Sequence, residues 1–323
     1  MAKTHTRRNR HSGLYYRNTA IVWTLTVFVF VMAFTRSLHW ASMLIFLLGI
    51  YLNYFMWNIY LSVHPRRSIF RRDLFRYEVD QECEQVTYLS LDGLKLSGWL
   101  IPGDKRKVIL LIHGLGGSGT SMMHQARLLN KAGYSVMMPD LRAHGDSEGD
   151  TITGVWEVND ILGALEYLDT RSDVTVDQVG ILGISFGAQV ALQAAAKTKS
   201  IRAVVLESMG PATLADHGGR PTTLRRWVNY PLNWLLYALF DFISGVHQRN
   251  GVIETLHLIY PRPILFISTG RGKEKYFMRL FFDAARHPKS LFEVPQAEHG
   301  IAMVVNRQEY GERVLRLFDQ ALG

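Results

Sequence analysis

The sequence predicts an α/β protein: a mostly parallel, doubly wound sheet with a helical insertion, preceded by N-terminal transmembrane helices. Three observations lead there. From residue 85 onward, short unbroken apolar stretches alternate with helix-length stretches, and strands that read this way are buried on both faces of a parallel sheet. Before residue 77 stand two apolar runs bracketed by arginines. Three strand ends also run into loops rich in glycine, serine and histidine: "HGLGGSG", "GISFGA" and "AEHG".

The N-terminal part comes first. Between Arg17 and Arg36 lies the charge-free run "NTAIVWTLTVFVFVMAFT", which as a helix reaches about 27 Å, just enough to cross a bilayer. After "RSLH" comes "WASMLIFLLGIYLNYFMWNIYLSV", long enough to span with some tilt. Helices are therefore expected over about 19–35 and 40–63, with Trp23, Trp40, Tyr51, Tyr54, Trp57 and Tyr60 including residues suited to the interfaces. Lys3, Arg7, Arg8, Arg10 and Arg17 precede the first run, and Arg66, Arg67, Arg71, Arg72 and Arg76 follow the second. Only Arg36 lies between them, so the positive-inside rule puts both ends, and everything after residue 76, on the cytoplasmic side of a membrane. A signal peptide also starts basic and then apolar. No small-x-small cleavage site stands out, however, and a second apolar run follows at once. The expected division is a basic N-terminus and anchor over 1–76 and a folded domain over 77–323.

The formal charge of +8 belongs to those flanks. Their bases are opposed by Asp73 alone, and with Arg36 included they leave residues 77–323 near −2. Nucleic acid is not an expected partner of such a domain. Cys83 is the only cysteine, which excludes an intramolecular disulfide and a cysteine-rich metal site. The twelve histidines have no coherent metal-ligand spacing. No metal or cofactor is expected.

Along the folded domain, "EQVTYLSLDGLKLSGWLIP" reads as two strands about the hairpin signal Asp92-Gly93. Then come strand "KVILLIHG", a helix over 119–132, strand "YSVMMPD", and a helix over about 154–169. Strand "QVGILG" leads to Ser185 and a helix over 186–197, followed by strand "IRAVVLES". Beyond an insertion over about 208–262 lie strand "RPILFIST", a helix over 275–286, strand "SLFEVP" and a terminal helix over 307–321.

Ser185 stands between Gly183 and Gly187, where a buried strand ends and a helix begins. A turn that tight needs small neighbours and exposes the hydroxyl as a nucleophile. The helix N-terminus beside it offers N–H groups to a developing oxyanion. A helix-capping serine among packing glycines would look the same locally. "LLIHGLGGSG" adds His113-Gly114 and a flexible turn at one strand end, and "VPQAEHGIAMV" adds His299 in a loop after another.

With these motifs and "PDLRAHGDSEG", residues 85–321 resemble the α/β-hydrolase superfamily, near membrane-associated BEM46-like serine hydrolases and lysophospholipase-like esterases. The resemblance implies Ser185 as nucleophile, His299 as general base, and the backbone N–H groups of Leu115 and Phe186 as the oxyanion hole. His113 and Gly114 would then shape the oxyanion loop, and His144 a turn. The acid of the triad normally follows the strand matching "PILFIST", as an aspartate. Here the loop is "STGRGKEKYF", with Glu274 as its carboxylate. Glu207, one strand earlier, is the alternative acid, and Glu298 is expected to be a loop residue.

The insertion is too long for an ordinary connection. In this superfamily it implies a lid. Its Trp227, Trp234, Leu235, Tyr237, Leu239 and Phe242 either pack on the core or meet a bilayer, with Arg220, Arg225 and Arg226 facing anionic headgroups. A rival motif also exists. Gly114, Gly116 and Gly119, with Asp140 after the next strand, satisfy a dinucleotide-binding fingerprint. Two strands already precede that glycine loop, though, and the rival leaves Ser185 and His299 without a role. The expected activity is a membrane-anchored serine hydrolase cleaving carboxylic esters, lipid or acyl esters among them. The alternatives are a peptidase or thioesterase using the same residues, or a membrane-tethered binding protein that keeps the fold without the chemistry. Oligomeric state is left open.

Overall fold

Runs of isoleucine, leucine and valine become the interior of a single sheet. The computed structural model describes residues 23–32, 39–65, 67, 83–217, 224–246 and 248–323, and the chain divides into two units, 1–64 and 65–323.

In the first unit, α1 (Trp23–Met32) packs on α2 (His39–Val63). Phe46 meets Phe30 and Trp23, at ring-centroid distances of 5.2 and 6.5 Å. Gly49 takes the Thr26 side chain against its bare backbone, a close approach that the missing side chain allows. Three polar side chains of α2 return to their own helix: the Asn53 amide donates to Gly49 O at 2.9 Å, Asn58 to Tyr54 O at 2.7 Å, and Ser62 to Asn58 O at 2.8 Å. Its stretch Ser42–Val63 is apolar and long enough to cross a membrane. The ten residues of α1 are too few to span alone, and the rest of the expected 19–35 helix lies outside the described residues.

The second unit holds strands β1 (Glu84–Leu89), β2 (Lys95–Ile101), β3 (Lys107–Ile112), β4 (Ser135–Pro139), β5 (Thr175–Ile184), β6 (Ile201–Glu207), β7 (Ile264–Ser268) and β8 (Lys289–Glu293). They form one sheet in the order β1-β2-β4-β3-β5-β6-β7-β8. β1 and β2 pair antiparallel about the predicted Asp92-Gly93 turn, where Gly93 supplies φ 82°. β2 also runs antiparallel to β4, and the remaining pairs are parallel. The helices are α3 (Met123–Lys131), α4 (Glu157–Asp169), α5 (Phe186–Lys197), α6 (Leu224–Ser244), α7 (Val252–Ile259), α8 (Gly272–Ala284), α9 (Ala302–Val305) and α10 (Arg307–Leu322).

Along β3, Val108, Leu110 and Ile112 enter one core while Ile109 and Leu111 enter the other, as side chains two residues apart must. Helices α4, α5, α7 and α8 close the first core, and α3 and α10 close the second. This is the doubly wound arrangement. Register then aligns the strand ends: Ile112 beside Gly183, Ile184 beside Glu207, and Glu207 beside Ile267.

Within the insertion, α7 belongs to the core, since Val252, Leu256 and Ile259 are buried in the first cluster. Buried Asp216 ties the neck of the insertion, accepting from Ala212 N–H at 2.9 Å and Ile253 N–H at 3.1 Å. The projecting element is α6. Its Trp234 and Phe242 are 58% and 78% exposed, and Leu235 is also exposed, whereas Tyr237 and Leu239 are half-buried. Arg220 and the side chains of Arg225, Arg226 and Trp227 lie outside the described residues. Arg67, read from the sequence as a membrane-flanking base, donates to Ser147 O at 2.6 Å and Gly149 O at 2.7 Å.

Candidate active site

Ser185 alone makes the turn from β5 to α5, with φ 57° and ψ −117°. Holding a non-glycine residue there costs about 1–3 kcal/mol and needs surrounding structure to enforce it. The Ser185 N–H donates to Glu207 O at 2.8 Å, and Ser185 O accepts from Ala188 N–H at 3.1 Å. The flanking glycines are sterically required. A β-carbon on Gly183 would run into the Gly187 carbonyl, and one on Gly187 into the carbonyls of Ile112 and His113.

Gly114 lies against this turn, since a β-carbon built on it would sit 3.4 Å from the Ser185 β-carbon. Two buried histidines hold its loop. His113 Nδ1–H donates to Gly114 O at 2.8 Å while Nε2 accepts from Leu141 N–H at 3.1 Å. His144 Nδ1–H donates to Arg142 O at 3.0 Å while Nε2 accepts from Gly116 N–H at 3.0 Å. A ring that donates on one side and accepts on the other is neutral. Burial, with His144 nearby, accordingly pushes His113 down to about 3, and burial also lowers His144. Asp140 is consumed by the same loop, accepting from Gly119 N–H at 2.7 Å and Asp146 N–H at 3.0 Å. The dinucleotide reading loses both its acid and two of its loop amides. Neither the Leu115 nor the Phe186 N–H donates to an acceptor among the described residues.

The third loop carries His299. Gly300 brings it to the turn, where a β-carbon would lie 3.0 Å from the Ile184 side chain. His299 Nδ1 is 2.8 Å from Glu274 Oε2. Glu274 sits in the first turn of α8, and its Oε1 accepts from Ser208 Oγ at 2.9 Å and Thr269 N–H at 2.8 Å. Burial pushes this carboxyl up, but the bonds from His299, Thr269 and Ser208 outweigh it and hold it below its ordinary range. The bond to Glu274, against partial burial, raises His299 above its ordinary 6.5. With Glu274 ionised, Nδ1 carries the proton and Nε2 is the nitrogen free to take one.

Glu207, the alternative acid, is fully buried and faces elsewhere. Its carboxylate accepts from Tyr310 OH at 2.8 Å and Ala302 N–H at 3.2 Å, and burial pushes it up to about 7. Glu298 is an exposed loop residue. Sequence reasoning missed Ser208, whose only signal was its place directly after a strand. Among the described residues no group of three or more His, Cys, Asp or Glu converges in a metal-binding arrangement.

Comparison with known proteins identifies the frame that carries these loops. The family described as alpha/beta hydrolase fold matches residues 107–249. The uncharacterized protein YfhR of Salmonella typhi is 31% identical over 235 residues, covering 68% of this chain and 75% of YfhR. The chain belongs to the α/β-hydrolase superfamily. Within it, the Pyrococcus furiosus esterase Pf2001 has the same fold: TM-score 0.62 at 24% identity, covering 81% of this chain and all of Pf2001. The thiohydrolase aneE of Aspergillus aculeatus is 27% identical over 131 residues, 39% of this α/β-hydrolase chain and 41% of aneE.

Proposed function

We propose that this chain is a membrane-anchored serine hydrolase that cleaves carboxylic esters, including lipid or acyl esters, through an acyl-enzyme. The observation that carries the reading is the 2.8 Å pairing of His299 Nδ1 with Glu274 beside the strained Ser185 turn. In this reading Ser185 Oγ attacks the ester carbonyl carbon and its proton passes to His299 Nε2. The negative oxygen is stabilised by the N–H groups of Leu115 and Phe186. The tetrahedral intermediate collapses, and the alcohol leaves with the proton from His299. Water, deprotonated by the same nitrogen, then releases the acid and restores Ser185. Glu274 holds the imidazole tautomer and balances its charge.

The apolar stretch Ser42–Val63 and the flanking bases support the anchor, with the catalytic unit on the cytoplasmic side. The exposed Trp234 and Phe242 on α6 support a lid whose apolar face meets lipid. Kinship to a thiohydrolase favours thioesters as a second substrate class for the same residues. The test is fluorophosphonate labelling of detergent-solubilised membranes. Wild type is expected to label, and Ser185→Ala and His299→Ala to lose labelling. A folded wild type that stays unlabelled favours the binding-protein alternative.

A further inference from the structure

The last residue of β6 and the one after it bond to the Ser185 turn, to Glu274 and to the His299 loop. The Glu207 carbonyl receives the Ser185 N–H at 2.8 Å. The Glu207 carboxylate receives Ala302 N–H, three residues beyond His299. Ser208 Oγ donates to Glu274 Oε1 at 2.9 Å and accepts from Gly300 N–H at 3.2 Å. Ser208 is 1% exposed and is held at φ 53°, with its own N–H on Ile267 O at 2.9 Å. A buried serine kept in a left-handed conformation, where glycine would be free of strain, calls for a reason beyond the turn. Its hydroxyl supplies one. Among the described residues it is the single group bonded both to the carboxylate that faces His299 and to the backbone directly after His299.

We infer that Ser208 is a positioning residue, whose hydroxyl fixes the Glu274 carboxylate and the His299 loop in register. This inference rests on Ser185, His299 and Glu274 acting as the triad. The hydroxyl has two effects. It orients the carboxylate so that Oε2 meets Nδ1, and by donating to Oε1 it withdraws charge from the carboxylate. Without it Glu274 becomes more basic and holds the imidazolium to higher pH, while the His299 loop loses one of its ties.

The experiment measures the fluorophosphonate labelling rate against pH for the full chain in detergent, with wild type, Ser185→Ala, Ser208→Ala and Ser208→Gly side by side. Alanine keeps the β-carbon and the backbone strain, and glycine removes both. Each lacks the hydroxyl. Both are expected to label about 10-fold or more slowly, the size of a lost hydrogen bond to a charged group. The acid limb of both profiles is expected to move to higher pH. If the residue serves only the turn, glycine labels as fast as wild type and the limb stays in place, which overturns the inference. Wild-type rates and an unmoved limb in Ser208→Ala overturn it equally. Should Ser208→Ala fail to fold, Ser208→Gly carries the same readout. Labelling that persists in Ser185→Ala, or is absent from wild type, refutes the triad itself and is distinguishable from either result.

Discussion

Replacing Glu274 by glutamine tests the acid most directly. Two donors, Ser208 Oγ and Thr269 N–H, point at Oε1, while Oε2 faces His299 Nδ1. A glutamine must keep its oxygen where the two donors converge, so its NH₂ turns toward His299. Two N–H groups cannot face one another, and Nδ1 therefore gives up its hydrogen to Nε2. An imidazole protonated on Nε2 cannot accept the Ser185 proton. Forcing the wrong tautomer in this way costs a triad about 10⁴-fold in kcat, or roughly 5 kcal/mol of transition-state stabilisation. Glu207→Gln is the comparator, because that carboxylate bonds Tyr310 and Ala302 and not the imidazole. The assay is kcat/KM on a short-chain chromogenic ester, with a thermal melt on each variant to show that it folds. A folded Glu274→Gln within tenfold of wild type, or a Glu207→Gln that loses more activity than Glu274→Gln, would refute the assignment.

Other outcomes follow from the same geometry. Because the bond to Glu274 raises His299 and the base must be neutral, activity should climb with pH along a limb centred above 6.5. A limb centred below 6.5 would contradict the pairing. Burial raises Glu207 from an ordinary 4.5 to about 7, so the folded chain keeps a proton that the unfolded chain has released. That contribution is complete below pH 4.5 and is lost as pH rises through 7, by at most on the order of 3 kcal/mol. Thermal melts across this window should show Glu207→Gln losing less stability than wild type as pH rises. Gly187→Ala, forced against the Ile112 and His113 carbonyls, should lose about 1–3 kcal/mol of stability, read as a lower denaturant midpoint. Removing residues 1–64, the separate apolar unit, should move the protein from the membrane fraction to the soluble extract, and a truncated chain that still pellets with membranes would count against the anchor.

The sheet was legible because strands covered on both faces must be continuously apolar, and Val108 to Ile112 are all fully buried. β5 is longer than its apolar run suggests, since it begins at Thr175 among residues that are partly exposed. α7 was hidden inside the insertion. Its apolar face looks like lid in one dimension and is recognisable as core only once Val252, Leu256 and Ile259 are seen to be buried. Glycine spacing around Ser185 was legible for a physical reason, because each glycine removes a specific collision. The choice between Glu274 and Glu207 was not, since one lies just beyond a strand and the other at a strand's last residue, and only the fold decides which carboxylate faces an imidazole. Ser208 was invisible for the same reason: neither its left-handed φ nor its two bonding partners leave a mark in the sequence.

Those two glutamates also show how one residue type takes two roles. Both are removed from water, which favours the neutral form of each. Glu274 is half-buried in the first turn of α8, where the helix end favours negative charge. It gathers Thr269 N–H and the Ser208 hydroxyl on one oxygen and the imidazole on the other, and these overcome desolvation. Glu207 is wholly buried with only Tyr310 OH and Ala302 N–H, and desolvation wins. The role proposed for Glu274, which requires it to stay charged while a proton moves through the neighbouring histidine, calls for a site of the first kind. Where the sequence pattern leads one to expect an aspartate, this loop has a glutamate in the first turn of α8, preceded by Gly270 and Gly272 at positive φ. The glutamate that stands where an aspartate was expected is held below its ordinary range, against desolvation, by donors that an exposed loop carboxylate would lack.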